Sequence, residues 1–231
     1  MTAAAAATSA PSLGALLALA ALAVVPLLLL AGTSFVKASV VLSLLRNALG
    51  AQSVLSGAVI VALAALLSAY VMAPVARAAL AAAAVPLAAL NLDAPVAGAE
   101  RTHVLEALSL AREPLRAFLE RNAGQPEQKL FAELARRGQA ANAVNAPPPD
   151  EHDLLVVLPA FLITELKEAL QIGLLLLLPF LIVDLVITSV LASLGMHSLS
   201  PAAVALPLKL LLFLSVDGFV ALSRALVTGY S

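Results

Sequence analysis

The stretch LPLKLLLFLSVDGFVAL, from Leu206 to Leu222, is the most informative part of the sequence about the fold. It has the composition of a membrane span yet carries two charges, Lys209 and Asp217. A charge at the bilayer centre costs about 2.5–3.5 kcal/mol on insertion scales. Eight residues of helix, at about 1.5 Å each, separate the two side chains by about 12 Å along the axis, so they share a face but cannot pair on one straight helix. Each charge therefore needs a partner from another segment or another subunit, and we expect this segment to face protein or a wet cavity rather than lipid.

The composition of the whole chain agrees with a membrane protein. Its 231 residues are 62% hydrophobic and 12% charged, with a mean hydropathy of +1.03, whereas soluble domains are about 45–50% apolar and about 25% charged. The net charge of −1 offers no basic surface to nucleic acid, so we expect no nucleic-acid partner. The absence of cysteine excludes disulfides, thiolate metal sites and cysteine nucleophiles.

The pattern of apolar and charged residues predicts an all-α membrane protein with about four long hydrophobic helices arranged as hairpins. A helical, water-exposed insert separates the second helix from the third. The three regions are a hydrophobic hairpin at 1–77, a polar helical insert at 78–153, expected in the periplasm, and a second hydrophobic hairpin at 154–231. The predicted spans lie at about 13–31, 53–73, 169–194 and 202–227. No positive charge precedes the first span, so we favour a retained helix over a removed signal peptide.

Prolines and glycines predict where the helices end. Gly50 is expected to cap the helix that begins near Ser34, and Pro74 to close the second span. Within the insert, Pro114 is expected to stand in the first turn of a new helix, separating it from the one before. Gly138 is expected just past the end of the last helix of the insert.

Eight charged side chains lie within or beside the apolar segments and are candidates for contacts between subunits or for lining a pore. They are Lys37, Arg46, Glu165, Lys167, Glu168, Asp184, Lys209 and Asp217. For Lys37 and Arg46, snorkelling of the side chain towards water is as good an explanation as a role at a subunit contact or in a pore. The position of these two residues between the first two spans favours an inner location for that connection, with both termini outside. Snorkelling suits the short side chains of Asp184 and Asp217 less well. Gly218 either lets another backbone approach closely or is incidental in an apolar helix.

The residue types that carry catalysis are missing from the expected spacings. Glu151, His152 and Asp153 are adjacent in the chain, which favours a solvated loop over a metal site. No glycine-rich loop is followed by Lys-Ser or Lys-Thr, and no nucleophile elbow is present. We therefore expect no enzymatic activity, no metal and no cofactor.

Four blocks of sequence carry a resemblance to a known family. The blocks are TSFVKASVVLSLLRNALGAQ (33–52), PLRAFLERN (114–122), LPAFLITELKEALQIGLLLLLPFLIVDLVI (158–187) and PLKLLLFLSVDGFVAL (207–222). In this order they resemble the SctR/FliP family, the R components of type III secretion and flagellar export. The resemblance runs from about Thr33 to the C-terminus.

The resemblance implies a multi-pass subunit of the export gate in the bacterial inner membrane. In this family five copies assemble with the small S and T membrane components into a conical complex, through which secreted proteins pass. Many apolar helices then pack against neighbouring subunits instead of lipid. Charges such as Lys209 and Asp217 would serve contacts between subunits or line the closed pore.

Two positions depart from the family pattern. Phe219, in Asp217-Gly218-Phe219, stands where the family commonly has tryptophan, so an aromatic side chain for close helix packing is kept. The loop from Gly195 to Pro201 keeps Met196 where the family carries a run of methionines that closes the pore. Met196 and Leu199 are therefore the candidates for that seal, since flexible thioether and apolar side chains can close around varied cargo.

The leading hypothesis is a pore-forming core subunit of a type III export gate, of the virulence-associated rather than the flagellar kind. The alternative is a small multi-span ion or proton carrier in which Asp184 and Asp217 form the path. A membrane-embedded enzyme is a remote third choice.

Overall fold

A computed structural model describes residues 30–52, 55–88, 99–141 and 150–230. Within these ranges the chain is helical and contains no strand, which confirms the all-α fold class. The helices, in chain order, are α1 Phe35–Leu49, α2 Gly57–Ala88, α3 Ala99–Asn122, α4 Gln125–Ala141, α5 Leu154–Ser193, α6 Pro201–Ser215 and α7 Gly218–Thr228. The span predicted at 13–31 lies, apart from its end, outside the described residues.

The first described helix, α1, lies at the centre of the apolar core. It ends as predicted at Gly50, which has a φ of 71° and donates its backbone N–H to the carbonyl of Asn47. Glycine adopts this left-handed conformation without steric cost. Val41 and Leu45 of α1 are fully buried among apolar side chains of α2, α5, α6 and α7.

Two of the expected proline boundaries are wrong. Pro74 does not end α2, which continues to Ala88, and Pro114 lies inside α3 rather than between two helices. An interior proline costs a helix about 3 kcal/mol or more. The long packing contact between α2 and α3 offsets this cost. Gly138 likewise lies inside α4 instead of past its end.

The longest helix, α5, begins well before the span predicted at 169–194. Asp153 caps it, because its side chain accepts a hydrogen bond of 3.1 Å from the backbone N–H of Leu155. The helix then continues through Pro159 and Pro179.

The span predicted at 202–227 is broken. Its two parts, α6 and α7, meet at an angle of 60°. The break lies at Asp217, whose φ of 48° is left-handed and cannot continue a right-handed helix. Among the described residues, α2 and α5 are each long and apolar enough to cross a membrane, and the bent pair would be a third crossing if its parts are counted together.

Candidate functional site

The first cluster of buried charges centres on Lys37 of α1. Its Nζ lies 2.7 Å from a carboxylate oxygen of Glu168 and 3.2 Å from one of Glu165, both on α5. The same Nζ stands 4.2 Å from the centre of the Tyr230 ring, and the Tyr230 hydroxyl donates a hydrogen bond to Glu165. The cluster thus joins α1, α5 and the segment that follows α7.

Burial makes this cluster sensitive to the loss of Lys37 or Glu165, whereas Glu168 is half exposed. The Lys37 and Glu165 side chains are 4% and 1% exposed. A buried charge is tolerated when it is paired and its remaining valences are satisfied. Here the Glu165 carboxylate forms an ion pair with Lys37 and accepts a hydrogen bond from the Tyr230 hydroxyl. The Lys37 ammonium also makes a cation–π contact with the Tyr230 ring. Snorkelling towards water, one of the two readings that the sequence left open, does not describe Lys37.

The second buried charge is Lys209 of α6. Its Nζ lies 2.6 Å from a carboxylate oxygen of Asp184 on α5 and 3.1 Å from the carbonyl oxygen of Ala48. Ala48 stands in the last turn of α1, where the unpaired carbonyls and the helix dipole favour a cation. Of the two kinds of partner expected for Lys209, another segment or another subunit, the structure shows the first, Asp184 of α5. A role for Lys209 at a subunit contact or in a pore stays a prediction.

Asp217 differs from the other charged residues of the apolar segments. Its side chain makes no capping hydrogen bond to α7 and no ion pair with any residue that the structure describes. The next residue, Gly218, lies against the ring of Phe213, which a Cβ atom would meet at 2.2 Å. Phe219 packs edge-on against Phe213, with ring centres 4.8 Å apart. Asp217 is therefore an exposed residue at a tight aromatic bend, and its role at a subunit contact or in a pore stays a prediction.

Two further predicted charges make local contacts. Arg46 donates a hydrogen bond of 3.0 Å to the carbonyl oxygen of Gln52. Lys167 of α5 lies 3.3 Å from Glu127 of α4, which ties the insert to the apolar helix. Roles for these residues at a subunit contact or in a pore stay predictions.

The loop between α5 and α6 presents its two candidate sealing residues outward. Met196 and Leu199 are 41% and 44% exposed. Gly195 turns the chain there with a φ of 71°. An exposed apolar pair at a turn can contact other copies, and its role as a seal stays a prediction.

Sequence reasoning missed Tyr230 as a member of the Lys37 cluster. Composition singled it out only as one of two tyrosines. The 65 positions that separate it from Glu165 leave no periodic signal of the contact.

The adjacent acids near His152 have structural contacts, since Asp153 caps α5 and Glu151 lies 3.2 Å from Arg136.

Comparison with known proteins places the chain. Residues 18–226 match the model of the FliP family. The hypersensitivity response secretion protein HrcR of Ralstonia nicotianae is 39% identical over 208 residues, covering 90% of this chain and 92% of that protein. The virulence protein YscR of Salmonella typhimurium is 37% identical over 211 residues, covering 90% and 92%.

A flagellar relative is similar to the same degree. The flagellar biosynthetic protein FliP of Caulobacter vibrioides is 38% identical over 205 residues, covering 89% of this chain and 71% of that protein. The resemblance carried by the four sequence blocks is confirmed by these matches. This chain belongs to the FliP family.

Proposed function

We propose that this chain is a pore-forming core subunit of a type III export gate, which translocates unfolded proteins across the bacterial inner membrane. Its family membership supports this function, since relatives of nearly the same length are named for secretion and virulence. The small ion or proton carrier is not favoured. Asp184, one of the two carboxylates proposed for its path, is already compensated by Lys209.

The structural observation that carries the proposal is the length and exposure of α5. Its 40 residues, at about 1.5 Å each, extend about 60 Å, which is twice the roughly 30 Å of a hydrocarbon core. Apolar side chains are exposed near both ends, with Leu155 at 81% and Leu194 at 66%. Lipid cannot cover both ends at once, which supports the proposal that other protein chains cover part of this helix.

The proposed partners rest on the resemblance to the family, and the exposed apolar side chains of α5 support them. We infer five copies of this chain, together with the small S and T membrane components of the gate, as the protein that covers α5 and the other exposed apolar faces. Secreted proteins are the cargo in transit. The chain contributes surfaces rather than bond chemistry, so it acts without a cofactor and the energy for export comes from other components.

The proposed location is the inner membrane, with several crossings, in the base of the secretion apparatus. We place the chain in a virulence-associated system, because its first block is closest in character to those members. The identities to HrcR and FliP, 39% and 38%, do not separate the two kinds of system.

The experiment that tests this function is deletion of the gene in its host followed by complementation. We expect the deletion to abolish release of secreted proteins into the medium and the intact gene to restore it. Flagellar motility measured in the same strains distinguishes the two kinds of system. Continued secretion and motility in the deletion strain would contradict an export role.

A further inference from the structure

An apolar groove opens on the face of the molecule that α2 and α7 share. The α2–α7 groove is lined by Leu63, Leu66, Leu67 and Tyr70 of α2 and by Phe219 and Leu222 of α7. Its cavity volume is about 500 Å³, within the range of sites that hold small molecules. Leu66 and Tyr70 are 68% and 70% exposed there.

The groove changes character along its length. Adjacent cavities of about 510 and 490 Å³, which share Tyr70 with the groove, continue to Arg224 and Arg77. Fourteen positions of α2, from Leu63 to Arg77, correspond to about 21 Å. Along α2 the surface is therefore apolar at Leu63 and cationic at Arg77, while Arg224 of α7 lines a separate cavity beside the groove.

These two arginines differ from the buried lysines because no aspartate or glutamate that the structure describes pairs with them. Arg77 and Arg224 are exposed, and neither forms an ion pair with a residue that the structure describes. The residues that line the three cavities in this part of the chain include no aspartate or glutamate. Cations beside apolar clefts of membrane helices bind anionic lipid headgroups, and arginine suits phosphate because its donors form a planar fork.

We propose that the α2–α7 groove binds an anionic phospholipid, with an acyl chain between Leu63 and Phe219 and the phosphate at Arg77, with Arg224 at the rim. Charge complementarity favours this occupant. The uncharged segment 1–36, if it covered the groove, would leave both guanidinium groups without a counter-charge. An apolar helix of a second copy would likewise bring no negative charge to the two guanidinium groups.

The composition of the chain provides a direct probe. The protein has no tryptophan and two tyrosines, and both tyrosines line these cavities. Tyrosine fluorescence of the full-length chain is measured in phosphatidylcholine nanodiscs that contain a small fraction of brominated phosphatidylglycerol or, in parallel, brominated phosphatidylcholine. We expect the brominated anionic lipid to quench at about tenfold lower mole fraction than the zwitterionic one.

Matched variants separate the headgroup contact from the acyl contact. Arg77→Gln is expected to abolish the preference for phosphatidylglycerol, whereas Arg121→Gln, an exposed arginine in the insert, leaves it unchanged. Ser223 of α7 also lines the apolar groove. Ser223→Phe fills this part of the groove and is expected to reduce quenching by the brominated anionic lipid without removing a charge. Equal quenching by the two lipids in the unaltered protein, or an Arg77→Gln protein that keeps the preference, overturns the proposal.

A single introduced cysteine tests the competing occupants. The chain lacks cysteine, so Leu66→Cys creates one labelling site in the groove. Protection of this thiol from a maleimide by phosphatidylglycerol supports the proposal. A disulfide-linked dimer that forms equally with and without phosphatidylglycerol shows that a second copy occupies the groove and overturns it.

Discussion

Lys37 joins three parts of the molecule through charge, because Glu165 and Glu168 of α5 and the ring of Tyr230 all contact its ammonium. Replacing a buried member of an ion pair leaves its partner uncompensated in a low-dielectric site. Without the lysine the buried Glu165 carboxylate would keep a like charge, that of the half-exposed Glu168, as its neighbour.

We expect Lys37→Met to destabilise the chain by about 3–5 kcal/mol, because it leaves the Glu165 carboxylate buried without its cation. The measurement is the apparent melting temperature of the purified protein in detergent. Lys167→Met is the control. Its partner Glu127 belongs to an ion pair whose lysine is 59% exposed, and such pairs contribute only about 0–1 kcal/mol.

A second variant tests whether charge causes this loss. Adding Glu165→Gln to Lys37→Met removes the unpaired charge, so the double variant is expected to recover much of the stability. Equal losses for Lys37→Met and Lys167→Met would show that the buried cluster does not stabilise the fold.

Asp217 combines a backbone requirement with an available carboxylate. Asparagine tolerates its left-handed conformation as well as aspartate does, whereas alanine costs about 1–2 kcal/mol there. We expect Asp217→Asn to insert and melt like the unaltered protein but to fail in assembly and secretion, because only the charge is lost. Assembly is measured on native gels and secretion in culture medium. Normal secretion by Asp217→Asn would limit the residue to shaping the bend.

At the scale of the helices, the bend between α6 and α7 depends on contact between a glycine and an aromatic ring. Gly218→Ala places a methyl group against the ring of Phe213, at 2.2 Å from its edge, so the ring must shift. We expect a destabilisation of about 1–3 kcal/mol, measured as a lower apparent melting temperature. Gly138→Ala in α4 has open space around the added Cβ and is expected to raise stability by about 0.5–1 kcal/mol. Similar effects of the two variants would contradict the close packing at the bend.

The turn between α5 and α6 is the candidate seal of the closed gate. Met196→Ala removes a flexible apolar side chain from the loop, and we expect leakage of small solutes through the membrane of expressing cells to rise. Leu155→Ala, which removes a more exposed apolar side chain at the other end of α5 (81% exposed, against 41% for Met196), provides the comparison. Unchanged leakage in Met196→Ala would locate the seal elsewhere.

At the scale of the whole molecule, hydropathy and the spacing of charges were enough to predict the helical membrane class and the need of Lys209 for a partner. They could not identify that partner, since the choice among several carboxylates depends on how α5 packs against α6. Hydropathy also could not predict the break at Asp217, because the break depends on the left-handed φ of a single residue inside an apolar run. The helix boundary predicted at Pro114 is wrong because the packing of α3 on α2 outweighs the local preference of proline to break a helix.

The exposed apolar surface connects these smaller features to function. The chain buries Lys37 and Lys209 internally but leaves many apolar residues of the second half of α5 exposed. The buried charges therefore stabilise the fold of the single chain, and we propose that Asp217 and the exposed face of α5 contact neighbouring chains.

We propose that sister subunits and the S and T components, rather than lipid alone, cover these helices. Native mass spectrometry of the complex purified from host membranes counts the copies of the 23.5 kDa chain. We expect five copies bound to the smaller components. A stable single copy surrounded by lipid, with neither component attached, would show that lipid alone covers the helices.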